Sequence, residues 1–284
     1  MLGAIIGDMV GSNYEFNDSK KPTPKTLKLM DLTNRMTDDS YLTLAVAKVL
    51  TKYYPFNFSE EEQINIQEDL RIEFKYMVEH HKTAGFGGTF YFWALKDLKD
   101  MKPYNSCANG SAMRISAVGW MANNLTEVQY LSLMVSEITH NHPDGLKGAE
   151  AIATAIFMAL HGYSKEEIGD YMIHNYYPRI VDIDYDKWVK EYKTDLFCEG
   201  SCPEAIYCFL HSNSLQDAIV KAVCMGGDSD TIACMAGAIA EAYYNKNSIS
   251  KLEQMYMDFC IEDEYLDIIK NMHKKIGSKK FIKE

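Results

Sequence analysis

Leu2-Gly3-Ala4-Ile5-Ile6-Gly7-Asp8-Met9-Val10-Gly11-Ser12 opens the chain as an apolar run whose glycines recur every fourth residue. At the α-helical period these glycines share one face, where bare backbone lets another helix or a ligand approach closely. The spacing predicts a helix over residues 2–12. Outward from it, apolar residues recur at helical spacing in segment after segment, and β-like alternation is nearly absent. From residue 38, Leu42, Ala45, Val46, Val49 and Tyr53 make the buried side of a second helix. Further helices are predicted over residues 60–80, 111–121, 127–138, 145–161, 165–171, 203–211, 214–223, 231–244 and 249–274. The expected fold is all-α, a compact helical bundle with residues 1–284 as a single domain, because no interior stretch reads as a linker.

The bulk properties narrow the function classes. The 284 residues are 47% hydrophobic, enough for one large core, and the formal net charge is -11. A phosphate-backbone binder carries a basic stripe, whereas here the only basic run is the tail Lys279, Lys280 and Lys283, so nucleic acid is disfavoured as the primary partner. Residues 1–10 lack a positive leading region and a small-residue cleavage site, and Asp8 interrupts them, so they are read as neither signal peptide nor membrane span. Seven irregularly spaced cysteines point to reduced thiols in a cytoplasm. The sixteen methionines and nineteen tyrosines fall mostly at helical-period positions and are expected to fill the core, and Trp93 and Trp120 should be largely buried.

Function is expected in the punctuation between helices, at Gly85-Phe86-Gly87-Gly88, Asn105-Ser106-Cys107-Ala108-Asn109-Gly110, Asn141-His142-Pro143-Asp144-Gly145 and Gly226-Gly227-Asp228. Two helix starts are unusually acidic: Thr37-Asp38-Asp39 and Asp228-Ser229-Asp230-Thr231. One carboxylate or hydroxyl is enough to cap a helix and complement its dipole, and each motif taken alone reads that way. Two crowded carboxylates cost energy unless a cation offsets them, and hard divalent ions prefer such oxygen ligands. If the two helix starts meet in space, four carboxylates and two hydroxyls suit two magnesium or manganese ions.

Five segments together resemble the ADP-ribosylglycohydrolase family in order and spacing. They are Gly7-Asp8-Met9-Val10-Gly11-Ser12 with Glu15, Thr37-Asp38-Asp39-Ser40, Asn109-Gly110-Ser111-Ala112-Met113-Arg114, Thr139-His140-Asn141-His142-Pro143, and Gly226-Gly227-Asp228-Ser229-Asp230-Thr231. The resemblance runs from residue 2 to about residue 244 and is greatest to bacterial members. It implies an all-α fold with two bound divalent ions, Mg2+ or Mn2+, and removal of ADP-ribose from a modified acceptor such as an ADP-ribosylated protein. By position, Thr37, Asp38, Asp39 and Asp230 would hold one ion and Asp38, Asp228, Asp230 and Thr231 the other, with Asp38 and Asp230 bridging.

The same resemblance implies that Glu15 orients water, moves a proton or gates the pocket, and that Asp38, Asp39 or Glu15 serves as the base. The loop Asn105, Ser106, Cys107, Ala108, Asn109, Gly110 and Ser111 would wrap a diphosphate, its small residues letting backbone amides and a helix start reach the phosphates. His140 would line the nucleotide pocket, and Gly87 with its neighbours would lie near the distal ribose, with Phe86 placed to pack on a sugar or base. Ala108 departs from the family's glycine, which matters if the backbone there needs positive φ. Ala117 stands where many relatives carry proline. Rival readings are a non-catalytic ADP-ribose-binding protein or scaffold on the same fold, another two-metal hydrolase, and a zinc site from Cys198, Cys202, Cys208 and His211. A monomer is expected.

Overall fold

The computed structural model describes residues 1–15, 21–244 and 248–277, so the basic tail lies outside the described residues. Among these the chain is helical, with no β-strand beyond one isolated antiparallel bridge between Ala108 and Phe197. The first helices are α1 (Leu2–Gly11), α2 (Asp38–Tyr53), α3 (Glu60–His80), α4 (Gly88–Ala94), α5 (Gly110–Met113) and α6 (Ser116–Met121). Then come α7 (Leu125–Ser136), α8 (Pro143–Leu160), α9 (Lys165–Asn175), α10 (Tyr185–Glu191) and α11 (Cys198–Leu210). The chain continues through α12 (Leu215–Met225), α13 (Ser229–Tyr244), α14 (Lys251–Phe259) and α15 (Asp263–Ile276). Among the described residues no helix is long and apolar enough to cross a membrane.

The packing of α1 on α13 organises the molecule. Every residue of α1 is buried, as a helix apolar all round requires. A Cβ on Gly3 would fall 2.3 Å from Gly237 O, one on Gly7 2.0 Å from Ala233 O, and one on Gly11 2.3 Å from Asp230 Cα. The glycine face therefore receives a helix, and only bare backbone permits that separation. At the far end Glu241 accepts hydrogen bonds from the amides of Leu2 at 3.1 Å and Gly3 at 2.8 Å, groups that a helix start leaves without an internal partner. The result is that the C-terminal end of α1 lies beside the first turn of α13.

Asp8 locks a third helix to this pair. Its carboxylate accepts from Thr37 N at 2.9 Å, Thr37 Oγ1 at 2.6 Å, Ser40 N at 3.1 Å and the Ser40 hydroxyl, so a residue of α1 caps α2. The starts of α2 and α13 thereby meet: Thr231 Oγ1 donates to Asp39 Oδ2 at 3.2 Å across 192 residues of sequence.

Several predicted elements differ. The helix expected over 111–121 is two short ones, interrupted at Arg114 and Ile115, where the Arg114 side chain enters the core. The helix expected from residue 203 begins at Cys198 with Pro203 inside it. Proline has no N–H for the carbonyl of residue 199, and Arg179 fills that place by donating to Glu199 O through Nε at 3.1 Å and through Nη2. The helix expected over 249–274 breaks between α14 and α15, a break that neither glycine nor proline announces. Short α4 and α10 were not foreseen. Trp93 and Trp120 are buried, as are most methionines, whereas most tyrosines sit half-buried against the core. The tyrosine hydroxyl explains the difference, since it costs energy away from water or a partner.

Candidate metal centre and ligand cavity

The ends of α1, α2 and α13 bring six carboxylates together. Oxygens of Asp8, Asp39 and Asp230 lie within 4.8 Å of one another, and so do oxygens of Glu15, Asp228 and Asp230. Asp230 therefore belongs to both groups. Asp38 belongs to neither group but lies close by, with Gly85 packed near its Oδ1.

Burial sets the electrostatics. It drives Asp38, Asp39 and Asp230 well above the ordinary carboxylate range, and the neighbouring carboxylates push them further. Burial, then the charge of Asp228, raises half-buried Glu15 to about 7. Burial raises Asp228 to about 6 even though Asn109 donates to it. Asp8 is likewise raised to about 6 by burial against the hydrogen bonds from Ser40 and Thr37.

Such a set fits divalent cations. Asp39 Oδ1 is buried with no hydrogen-bond donor. The Thr37 hydroxyl gives its proton to Asp8 and the Thr231 hydroxyl gives its proton to Asp39, which leaves both with lone pairs to offer. Oxygen donors of this kind suit magnesium or manganese, and positive charge would relieve the crowding that raises these carboxylates. The rival zinc set is dispersed: Cys198, Cys202 and Cys208 are buried along α11, while exposed His211 stacks on Tyr207.

Above the carboxylates opens a cavity of about 430 Å³. Glu15, Asp38, Asp39, Asp228 and Thr231 line its floor. One wall is Asn105, Ser106, Cys107, Ala108, Asn109 and Gly110, and His140 and Gly87 also line the cavity. Thr37 and Asp230 are buried beneath the floor, outside the lining. Ser111 also stands back, donating to Gly145 O at 2.7 Å.

The wall is a clasped loop. Asn109 N donates to Leu196 O at 2.9 Å, Cys198 N donates to Cys107 O at 3.1 Å, and Asn105 N donates to Asn141 Oδ1 at 2.7 Å. Asn105 carries φ 55°, a conformation asparagine tolerates, while Ala108 is not among the positive-φ residues. The alanine therefore fits without backbone strain, and the glycine of many relatives is not needed here. Asn109 Nδ2 donates to Asp228 Oδ2 at 2.5 Å and to Ser201 Oγ at 3.0 Å, fixing the loop to the carboxylates.

Other placements add corrections. Phe86, partly buried, stacks on the core residue Phe90 and is not part of the cavity lining. His142, for which the sequence suggested no role, accepts from Asp144 N at 3.2 Å and so caps α8. Sequence reasoning did not single out Asp8 for the site, although a lone carboxylate inside an apolar helix was the available signal. Nor did it single out Tyr104, Arg114, Leu196 and Phe197 as lining residues, because only tertiary packing brings them there.

The comparisons identify the family and the fold. A sequence model of the ADP-ribosylglycohydrolase family matches residues 1–278. The mouse (Mus musculus) protein named ADP-ribosylhydrolase ARH3 is 26% identical, the match covering 96% of this chain and 90% of that protein. The Pseudomonas putida protein named ADP-ribosylarginine hydrolase Tri1 is 22% identical, with coverage of 86% and 69%. A solved structure described as an ADP-ribosylglycohydrolase-related protein complex shares the fold, with TM-score 0.64, 19% identity and 96% coverage of both chains. With that match across nearly its whole length, the chain belongs to the ADP-ribosylglycohydrolase family.

Proposed function

We propose that this chain is a divalent-cation-dependent ADP-ribosyl hydrolase, in which water cleaves the bond between the anomeric carbon of the distal ribose and an acceptor. The observation that carries this reading is the shared position of Asp230 in two carboxylate groups directly beneath a ligand-sized cavity. The names of the mouse and Pseudomonas relatives support the same reaction class. We read residues 1–284 as one domain serving this site, since α1 and α13 build it from opposite ends of the chain.

Asp8, Asp39 and Asp230 would contribute to one ion and Glu15, Asp228 and Asp230 to the other, with Asp38, Thr37 and Thr231 completing the oxygen set. When bound, the Mg2+ or Mn2+ ions would fix the ribose hydroxyls and make water more acidic. The chain's own residues supply the rest. The 105–110 wall positions the diphosphate, so that the anomeric carbon stands over the floor. Cleavage builds oxocarbenium-like positive charge on the ribose, and the floor carboxylates offset it. Glu15 lines the cavity and is only half-buried, so its carboxylate is the best placed to take a proton from the attacking water and return it to the departing acceptor. Asp38 and Asp39 line the same floor as alternative acceptors.

The test is release of free ADP-ribose from ADP-ribosylated peptide in magnesium or manganese. Release that stops with chelator supports the reading. Tight ADP-ribose binding without release from any acceptor points to a non-catalytic binder and overturns it.

A further inference from the structure

The cavity lining includes a buried cation that the floor chemistry does not use. Arg114 is wholly buried, yet its Nε and Nη1 have no hydrogen-bond partner. Its guanidinium lies 4.7 Å from the Phe74 ring centre and 5.9 Å from that of Phe90, a placement in which ring faces stabilise a charge. It is the one lysine or arginine among the described residues that line the cavity. An arginine kept at this cost calls for a reason beyond packing.

Its one short hydrogen bond shows where it acts. Arg114 Nη2 donates to Thr139 Oγ1 at 2.7 Å. That hydroxyl stands 2.7 Å from His140 Nδ1 and 3.4 Å from Ser136 O. A threonine hydroxyl has one proton and two lone pairs; Arg114 takes one lone pair, and the 2.7 Å contact to Nδ1 takes the proton in preference to the 3.4 Å contact to Ser136 O. An Nδ1–H would also point the positive end of its dipole toward the guanidinium. Nδ1 therefore accepts, and the imidazole proton resides on Nε2. On that side a Cβ added to Gly110 would lie 3.1 Å from Nε2, which sets this nitrogen beside Gly110 in the cavity lining.

We propose that Arg114 and Thr139 form a relay that fixes His140 as its Nε2–H tautomer and makes it an obligate hydrogen-bond donor to an acceptor atom of the bound ligand. The donor role rests on the reading of the cavity as an ADP-ribose site; the tautomer does not. Burial and the neighbouring Arg114 charge hold the imidazole well below its ordinary value, which keeps it neutral and leaves the tautomer to decide what it offers. Arg114 and Thr139 are positioning residues here.

The tautomer is read from long-range proton–nitrogen correlations of the His140 ring in ligand-free protein. Wild type and Thr139→Ser should show protonated Nε2 and bare Nδ1, and Thr139→Val should show mixed tautomers. Protonated Nδ1 in wild type, or an unchanged pattern in Thr139→Val, overturns the relay. Thr139→Val serves because it removes the linking hydroxyl and leaves the buried Arg114 in place. For the donor role, His140→Gln keeps an N–H near the ε position and should bind ADP-ribose about fivefold more tightly than His140→Asn, the worth of one neutral hydrogen bond. Equal affinity overturns the donor role. Absence of ADP-ribose binding in wild type overturns the reading of the site and the donor role with it, while the ligand-free tautomer decides the relay separately.

Discussion

Asn109 and Asp228 join the two halves of the site: the Asn109 amide donates to the Asp228 carboxylate at 2.5 Å and ties the cavity wall to the start of α13. Removing the amide frees the loop and deprives a buried carboxylate of its donor. Asn109→Ala should weaken ADP-ribose binding and cost about 1–3 kcal/mol of stability. Calorimetric affinity and denaturant unfolding measure both, and an unchanged pair of values would show that the clasp is idle.

Glu15→Ala separates proton transfer from positioning. Its carboxylate lines the cavity, so turnover should fall by about 100-fold or more while ADP-ribose affinity changes by only a few-fold. Equal losses in both would assign Glu15 to positioning or gating.

The raised carboxylates predict a pH slope in metal-free protein. Glu15 lies at about 7 against 4.5, and Asp8 and Asp228 at about 6 against 3.8. Each folded value exceeds the unfolded one, so the folded state binds more protons between them. Stability is then fullest below the unfolded values and is lost as pH rises through the folded ones. The Tm of chelator-treated protein should fall between about pH 4 and pH 7, and saturating magnesium should flatten that fall. A slope indifferent to magnesium would separate the carboxylates from metal binding.

Gly7→Ala tests the contact between α1 and α13. Alanine favours an isolated helix by about 1 kcal/mol, but here its Cβ would meet Ala233 O at 2.0 Å. Overpacking should prevail with a loss of about 1–3 kcal/mol, and activity should fall because α13 carries Asp230. A stabilised variant would contradict the close packing.

The glycine spacing of α1 and the paired acidic helix starts were legible because period and charge are local. That the two starts meet was not, since the meeting depends on Asp8 reaching Thr37 and Ser40 from another helix. Pro203 misled for a related reason: a distant arginine fills the place its missing N–H leaves. Leu196 and Phe197 line the cavity from a segment with no motif of its own, and nothing local in the sequence marks Arg114 as buried.

The central claim is tested most directly by measuring free ADP-ribose released from arginine-, serine- and ester-linked substrates, by wild type and Asp230→Asn, in magnesium, manganese or chelator. The account predicts metal-dependent release from at least one linkage by wild type, and loss of that release in Asp230→Asn with its helical circular dichroism retained. Release that survives chelation, or near wild-type turnover by Asp230→Asn, would contradict it.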